Sequence, residues 1–216
     1  MKKKIIAGIC IVLGIAITVV PFYYHFHGQQ ETDKLMEQFE QSLEDDEDES
    51  EEEVAEVSEE GTSISEEDAA LLSEQEVIGI IEIEALDLKY PIVEGADSKS
   101  IAYAIGHMSE TAGIGEKGNC VLCGHNGSRN GTFFTNLNQI SIGDEVKVLD
   151  KNGEWHRYEV KETFIIGPRD NSVKNQSGEE ILTLLTCANR GTQRFICVCT
   201  PIKAGETDET TDISMY

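Results

Sequence analysis

A chain of 216 residues with 41 acidic against 17 basic side chains, formal net charge −24, is a poor nucleic-acid binder, because no basic stripe exists to neutralise phosphates. The length would allow one or two domains, but the charge is concentrated in one stretch that cannot build a core, so one folded domain is expected.

The N-terminus reads Met1, then Lys2, Lys3 and Lys4, then an uncharged run from Ile5 to Val20 closed by Pro21, Phe22, Tyr23 and Tyr24. Roughly 20 apolar residues span the hydrocarbon layer; lysines favour the cytoplasmic side and aromatic rings the interface. A cleaved signal peptide would leave a small-x-small pattern, and the exit instead reads Phe22-Tyr23-Tyr24-His25-Phe26-His27. The expectation is an uncleaved single-pass anchor over residues 5–24, with the rest of the chain outside the cell.

From Glu31 to Glu76 there are 21 acidic residues and a single base, Lys34. Such a segment repels itself and is short of apolar residues, which predicts a disordered, solvated tether. From Val77 onward the texture changes to short β-rich runs divided by Gly, Asn, Asp and Pro, the pattern of an all-β sandwich or barrel. Seven or eight strands are expected: Ile78 to Ile83, Leu88 to Val93, Asn119 to His125, Glu145 to Leu149, Trp155 to Ile166, Ile181 to Cys187 and Phe195 to Thr200 are the clear ones. Asp150-Lys151-Asn152-Gly153 should turn a hairpin, Asn-Gly being a strong turn signal. Lys99 to Ile105 and Phe133 to Gln139 read as short helices crossing the barrel ends. The resulting division is 1–30 lysines, anchor and exit; 31–76 acidic linker; 77–204 folded domain; 205–216 polar tail.

Six cysteines occur: Cys10, Cys120, Cys123, Cys187, Cys197 and Cys199. Cys120 and Cys123 form a C-x-x-C, but within a strand positions three apart point to opposite faces, so these thiols should neither converge on a metal nor readily bridge. They read as structural. Three other side chains stand where strands begin or end: His125, Cys187 and Arg194. Strand ends are held rigidly yet reach solvent. A thiolate attacks carbonyls, an imidazole protonates a leaving amine, and a guanidinium stabilises an oxyanion.

Thr183-Leu184-Leu185-Thr186-Cys187, with Arg194 before an apolar strand and Gly124-His125 upstream, resembles the signature of the sortase family in order and spacing. The resemblance runs from about Ile78 to Thr200, through Gly106-His107, Thr111, Gly118-Asn119, Phe134, Leu137 and Gly143-Asp144. It implies a closed eight-stranded β-barrel and a ping-pong reaction. A cysteine cuts a Leu-Pro-x-Thr-Gly-like sorting signal of a surface protein, keeps it as a thioacyl intermediate, and passes it to a cell-wall or pilin amine. Cys187 would be the nucleophile, His125 the general acid and then base, and Arg194 the oxyanion ligand, with Arg190 a solvated turn residue. His107 is expected to be structural. The segment Pro168 to Glu180 resembles the family's substrate-gripping loop, so Pro168, Val173 and, beside the nucleophile, Thr186 are expected to bind substrate. The subclass is A/D-like or B-like. No cofactor is expected; calcium on loop acids such as Glu116, Asp144, Glu179 and Glu180 is the one candidate, and no motif supports it.

The location implied is a Gram-positive-type cell membrane with the catalytic domain outside. The alternatives are another extracellular cysteine acyltransferase or protease, a non-catalytic wall-tethered binding module, or a thiol-redox role for Cys120 and Cys123. Cys123 is the only rival nucleophile, since it shares a strand face with His125.

Overall fold

The alternation beginning at Val77 becomes eight strands in the structure, a computed structural model that describes residues 29–43, 76–127 and 132–202 and the isolated positions 14, 19 and 23. They are β1 (Val77–Ile83), β2 (Leu88–Glu94), β3 (Ile105–His107), β4 (Gly118–Gly124), β5 (Glu145–Asp150), β6 (Trp155–Ile166), β7 (Glu180–Ala188) and β8 (Gln193–Pro201). In space they close in the order β1-β2-β3-β4-β7-β8-β6-β5, so no sheet edge is left open. Most neighbours are antiparallel. β2 with β3 and β4 with β7 are parallel.

Period-two alternation sorts each strand into an inner and an outer set. Cys120, Leu122, Leu182, Leu184, Cys197 and Cys199 meet Ile81, Ile83, Val146 and Val148 in the barrel interior. Asn119, Val121, Cys123, Ile181, Thr183, Leu185 and Cys187 therefore belong to the outer face of β4 and β7. The hairpin forms where expected: Gly153, at φ 78°, donates its N–H to the Asp150 carbonyl at 3.1 Å, and the Asp150 carboxylate accepts the Asn152 and Glu154 N–H groups, both at 2.9 Å. Gly124 is required by close approach, because a Cβ there would lie 2.7 Å from Ile105 Cδ1 and 2.9 Å from the Phe134 ring.

Three expectations are corrected. Lys99 to Ile105 is not a helix: a single 3-10 turn, Ser100–Ala102, leads into β3, an element whose three residues are too few to show a period. Phe133 to Gln139 likewise yields only turns and one 3-10 turn, Leu137–Gln139, since Phe133 has φ 41°, outside the helical region.

The third correction concerns the acidic linker. Residues 29–43 form a helix, α1, with Leu35 and Phe39 1% and 2% exposed. Leu35 packs with Val93 and Ala104, flanked by Val77 and Tyr103, and Thr32 Oγ1 donates to the Tyr103 carbonyl at 2.9 Å. Charge counting hid the stripe Thr32, Leu35, Met36, Phe39 and Leu43, whose i, i+3, i+4 spacing puts apolar groups on one helix face. Burying two such side chains contributes about 1.5–3 kcal/mol each. The rest of the linker, 44–75, and the tail from 203 lie outside the described residues, as does the expected membrane anchor apart from positions 14, 19 and 23. Among the described residues no helix is long and apolar enough to cross a membrane.

Candidate active site

The parallel β4–β7 pair and the antiparallel β7–β8 pair together decide which strand ends meet. Gly124 is in register with Thr186, so His125, one residue beyond β4, comes abreast of Cys187. Across the other ladder Cys187 is paired directly with Arg194. Thiol, imidazole and guanidinium thus come from three adjacent strands at one rim of the barrel, with the thiol and guanidinium on the outer face.

Several contacts fix this rim. Asn126 Nδ2 donates to the Cys187 carbonyl at 2.7 Å, and Thr186 Oγ1 donates to the Gly124 carbonyl at 2.8 Å. The Phe134 N–H donates to the His125 carbonyl at 3.1 Å. The His125 ring stands edge-on to Phe133, centroids 6.3 Å apart, and Phe133 packs on Tyr90 at 4.8 Å. Burial lowers the His125 pKa below its ordinary value, since desolvation disfavours the imidazolium.

The two candidate thiols differ in setting. Cys187 is half-buried, whereas Cys123 is 5% exposed. Burial, reinforced by the nearby Cys187, pushes the Cys123 pKa up to about 11. A buried, protonated thiol is a poor nucleophile. Cys120 faces the interior, with its pKa pushed up to about 12 by burial. Both thiols of the C-x-x-C are free, and the strand does direct them to opposite faces.

Arg194 uses Nη1 to donate to the carbonyls of Gly191 and Gln193, at 3.0 and 2.9 Å. Arg190 is exposed in the Asn189–Gly191 turn, at φ 57°. His107 is buried away from this rim: Nδ1 meets Glu94 Oε2 at 2.9 Å and Nε2 meets the Ala112 carbonyl at 2.9 Å, which ties the end of β3 to β2 and to the following loop.

Along the outer face lies a cleft of about 170 Å3, lined by Asn119, Phe164, Val173, Ile181, Thr183 and Ile196 among others. Its roof is the loop between β6 and β7, and the residue that fastens this loop was missed by sequence reasoning as a functional group. Asn119 Nδ2 donates to the Val173 carbonyl at 2.6 Å, and its Oδ1 accepts the Thr183 hydroxyl at 2.7 Å. Gln176 adds a reciprocal pair with the Asn119 backbone, at 2.9 and 3.1 Å. A buried polar position in an otherwise apolar strand is the signal that could have found Asn119.

Of the three expected substrate contacts, Val173 lines the cleft, while Pro168 is exposed in the loop. Thr186 does not face it. Strand parity turns it inward, it is 1% exposed, and its hydroxyl is committed to Gly124. Among the described residues one group, Asp150, Glu154 and His156, brings three metal-ligating side chains together. The Asp150 oxygens there already accept from Asn152, Glu154 and His156. The loop acids Glu116, Asp144 and Glu180 are spread apart, engaged with the Gly113 N–H, the Ser141 N–H and the Tyr158 hydroxyl respectively.

A closed β-barrel with Cys, His and Arg at adjoining strand ends holds the groups that thiol-dependent acyl transfer requires, and known proteins share this arrangement of strands. A family model for the sortase domain matches residues 81–202. Sortase A of Bacillus anthracis is 29% identical over 120 residues, covering 56% of either chain. Sortase D of Bacillus subtilis is 34% identical over 110 residues, 50% of this chain and 53% of that protein. The chain thus spans about half the length of the curated relatives it matches. A Clostridium perfringens sortase D5 transpeptidase superposes with a TM-score of 0.61 at 29% identity, over 81% of this chain and 99% of that one. The sortase C of the same species, solved with the C-terminal cell wall sorting motif, superposes with a TM-score of 0.55 at 25% identity, over 60% of this chain and 72% of that one. The chain belongs to the sortase family, whose members are cysteine transpeptidases.

Proposed function

We propose that this chain is a membrane-anchored sortase that cuts a Leu-Pro-x-Thr-Gly-like sorting signal and joins the freed carboxyl end to a cell-wall or pilin amine outside the cell. The observation that carries the reading is the double register that sets Cys187 between His125 and Arg194.

The sorting peptide lies in the outer cleft under the loop that carries Val173. The Cys187 thiolate attacks the threonine carbonyl, and the carbonyl electrons move onto oxygen, where the Arg194 guanidinium receives the charge. For this the guanidinium leaves its turn carbonyls for the substrate. Collapse breaks the Thr–Gly bond, and the His125 imidazolium gives its proton to the departing amine. The thioester persists until an amine enters. Neutral His125 takes a proton from that amine as it attacks, the new amide forms, and the Cys187 thiolate leaves. No metal is needed for either step. The apolar segment 5–24 holds the enzyme at the membrane in this reading.

The test uses residues 29–216 with a fluorogenic sorting-signal peptide and an amine acceptor, followed by intact mass. Expected are an acid-stable adduct on Cys187 and, with acceptor present, a ligated peptide. Absence of both with every sorting-signal variant, from a folded barrel, would remove the transpeptidase reading and leave a binding module.

A further inference from the structure

His125 stands just past the end of β4, outside the strand ladder, so the strand alone does not hold its ring. What does hold it is visible on the other side. Phe133, 1% exposed, presents its ring edge-on to the imidazole, centroids 6.3 Å apart at an interplanar angle of 67°. Its backbone is at φ 41°, a conformation that a bulky residue adopts only when its surroundings compel it. Tyr90, on β2, supplies the compulsion. Its ring packs on Phe133 at 4.8 Å, and its hydroxyl oxygen accepts the Thr132 N–H at 3.0 Å while sharing a 2.9 Å hydrogen bond with Thr132 Oγ1.

We propose that Tyr90 and Phe133 are positioning residues for the His125 imidazole, Phe133 as the wall against which the ring rests and Tyr90 as the clasp that keeps Phe133 in its strained place. The proposal rests on the reading of His125 as the proton-transferring group. Phe133 also belongs to the barrel core, but core burial alone does not call for a left-handed backbone. Here the Phe133 ring faces the one imidazole that must move a proton. The wall also covers one side of the ring, in keeping with the burial that lowers the pKa of His125. Among the described residues, the titratable groups nearby on the surrounding elements are Tyr90 on β2, Cys123 on β4, Cys187 on β7 and Arg194 on β8. None of them replaces an apolar wall.

The experiment reads the His125 ring directly by NMR titration in protein with labelled histidine, and measures kcat and KM on a sorting-signal peptide. Four variants are compared: Phe133→Leu, Phe133→Tyr, Tyr90→Phe and Leu137→Ala, the last a core control within the same barrel. Phe133→Leu should move the titration midpoint up toward the ordinary value of about 6.5. It should lower kcat about 10- to 100-fold with KM within about 3-fold, as expected when a proton donor is misplaced rather than a binding group lost. Phe133→Tyr should stay near wild type, and Tyr90→Phe should shift the midpoint in the same direction by less. Leu137→Ala should lower the melting temperature and leave the midpoint alone. A midpoint unchanged in folded Phe133→Leu, or moved equally by Leu137→Ala, overturns the proposal. Because the titration needs no substrate, it decides the positioning role even if the wild-type protein shows no transpeptidation.

Discussion

The Asn126 side chain donates a hydrogen bond of 2.7 Å to the backbone carbonyl of Cys187, bridging the residue after the histidine to the nucleophile itself. This is a direct tie between two strand ends that the ladder and the Thr186 Oγ1 bond to the Gly124 carbonyl also align. An exposed neutral hydrogen bond contributes about 0.5–1.5 kcal/mol. Asn126→Ala should therefore slow thioester formation by up to about tenfold and leave the melting temperature within a few degrees, measured by stopped-flow cleavage and thermal scanning.

Cys187→Ala should abolish peptide cleavage while the barrel stays folded, since Cys187 is only half-buried and on the outer face. Cys123→Ala should keep activity, because that thiol is buried and its pKa is pushed up to about 11. Intact mass after acid quench decides between them: an adduct that survives in Cys187→Ala would transfer the nucleophile to another residue.

The two arginines are separated by their place on strand and turn. Arg194, paired with Cys187 in the ladder, should lose a factor of about 100 to 1,000 in turnover on replacement by alanine, the usual cost of one oxyanion donor. Arg194→Lys should recover little, because lysine offers one mobile donor where a guanidinium offers two parallel ones. Arg190→Ala should stay within a few-fold. The opposite pattern in single-turnover rates would mean the Asn189–Gly191 turn rearranges over the site.

Burial lowers the His125 pKa, which fixes the direction of two pH effects. In activity, the acid limb of a bell-shaped profile should fall below the ordinary histidine value of about 6.5. In stability, a depressed folded-state pKa means that the unfolded chain takes up a proton first as the pH falls. The contribution is whole above about 6.5 and is lost as pH drops through the folded value. Chemical denaturation of wild type and His125→Gln between pH 8 and 5 checks this: the wild type should lose stability relative to the variant on the acid side.

Helix α1 should be part of the folded unit. Leu35→Asp places a charge against Val93 and Ala104 and should lower barrel stability by about 2–5 kcal/mol if the helix stays docked, or detach it. Hydrogen exchange of residues 29–43 distinguishes the cases. Rapid exchange throughout that helix in the wild-type protein would return the segment to the role of a solvated tether.

Local spacing in the sequence was enough for the barrel strands with clear alternation and for the hairpin at Asn152-Gly153, and it offered Cys187, His125 and Arg194 as candidates for the site. Period-two patterns, a turn dipeptide and motif order need no long-range information. It also placed Cys120 and Cys123 on opposite faces, which follows from the strand period alone. It could not reveal β3, whose three residues show no period, or the docking of α1, whose apolar stripe matters only when Val93 and Ala104 stand opposite. Nor could it tell that Asn119 fastens the loop over the cleft. Those outcomes depend on which strands become neighbours and in what register. The parallel β4–β7 pairing joins segments more than fifty residues apart, and only the closed barrel decides that His125 and Cys187 meet.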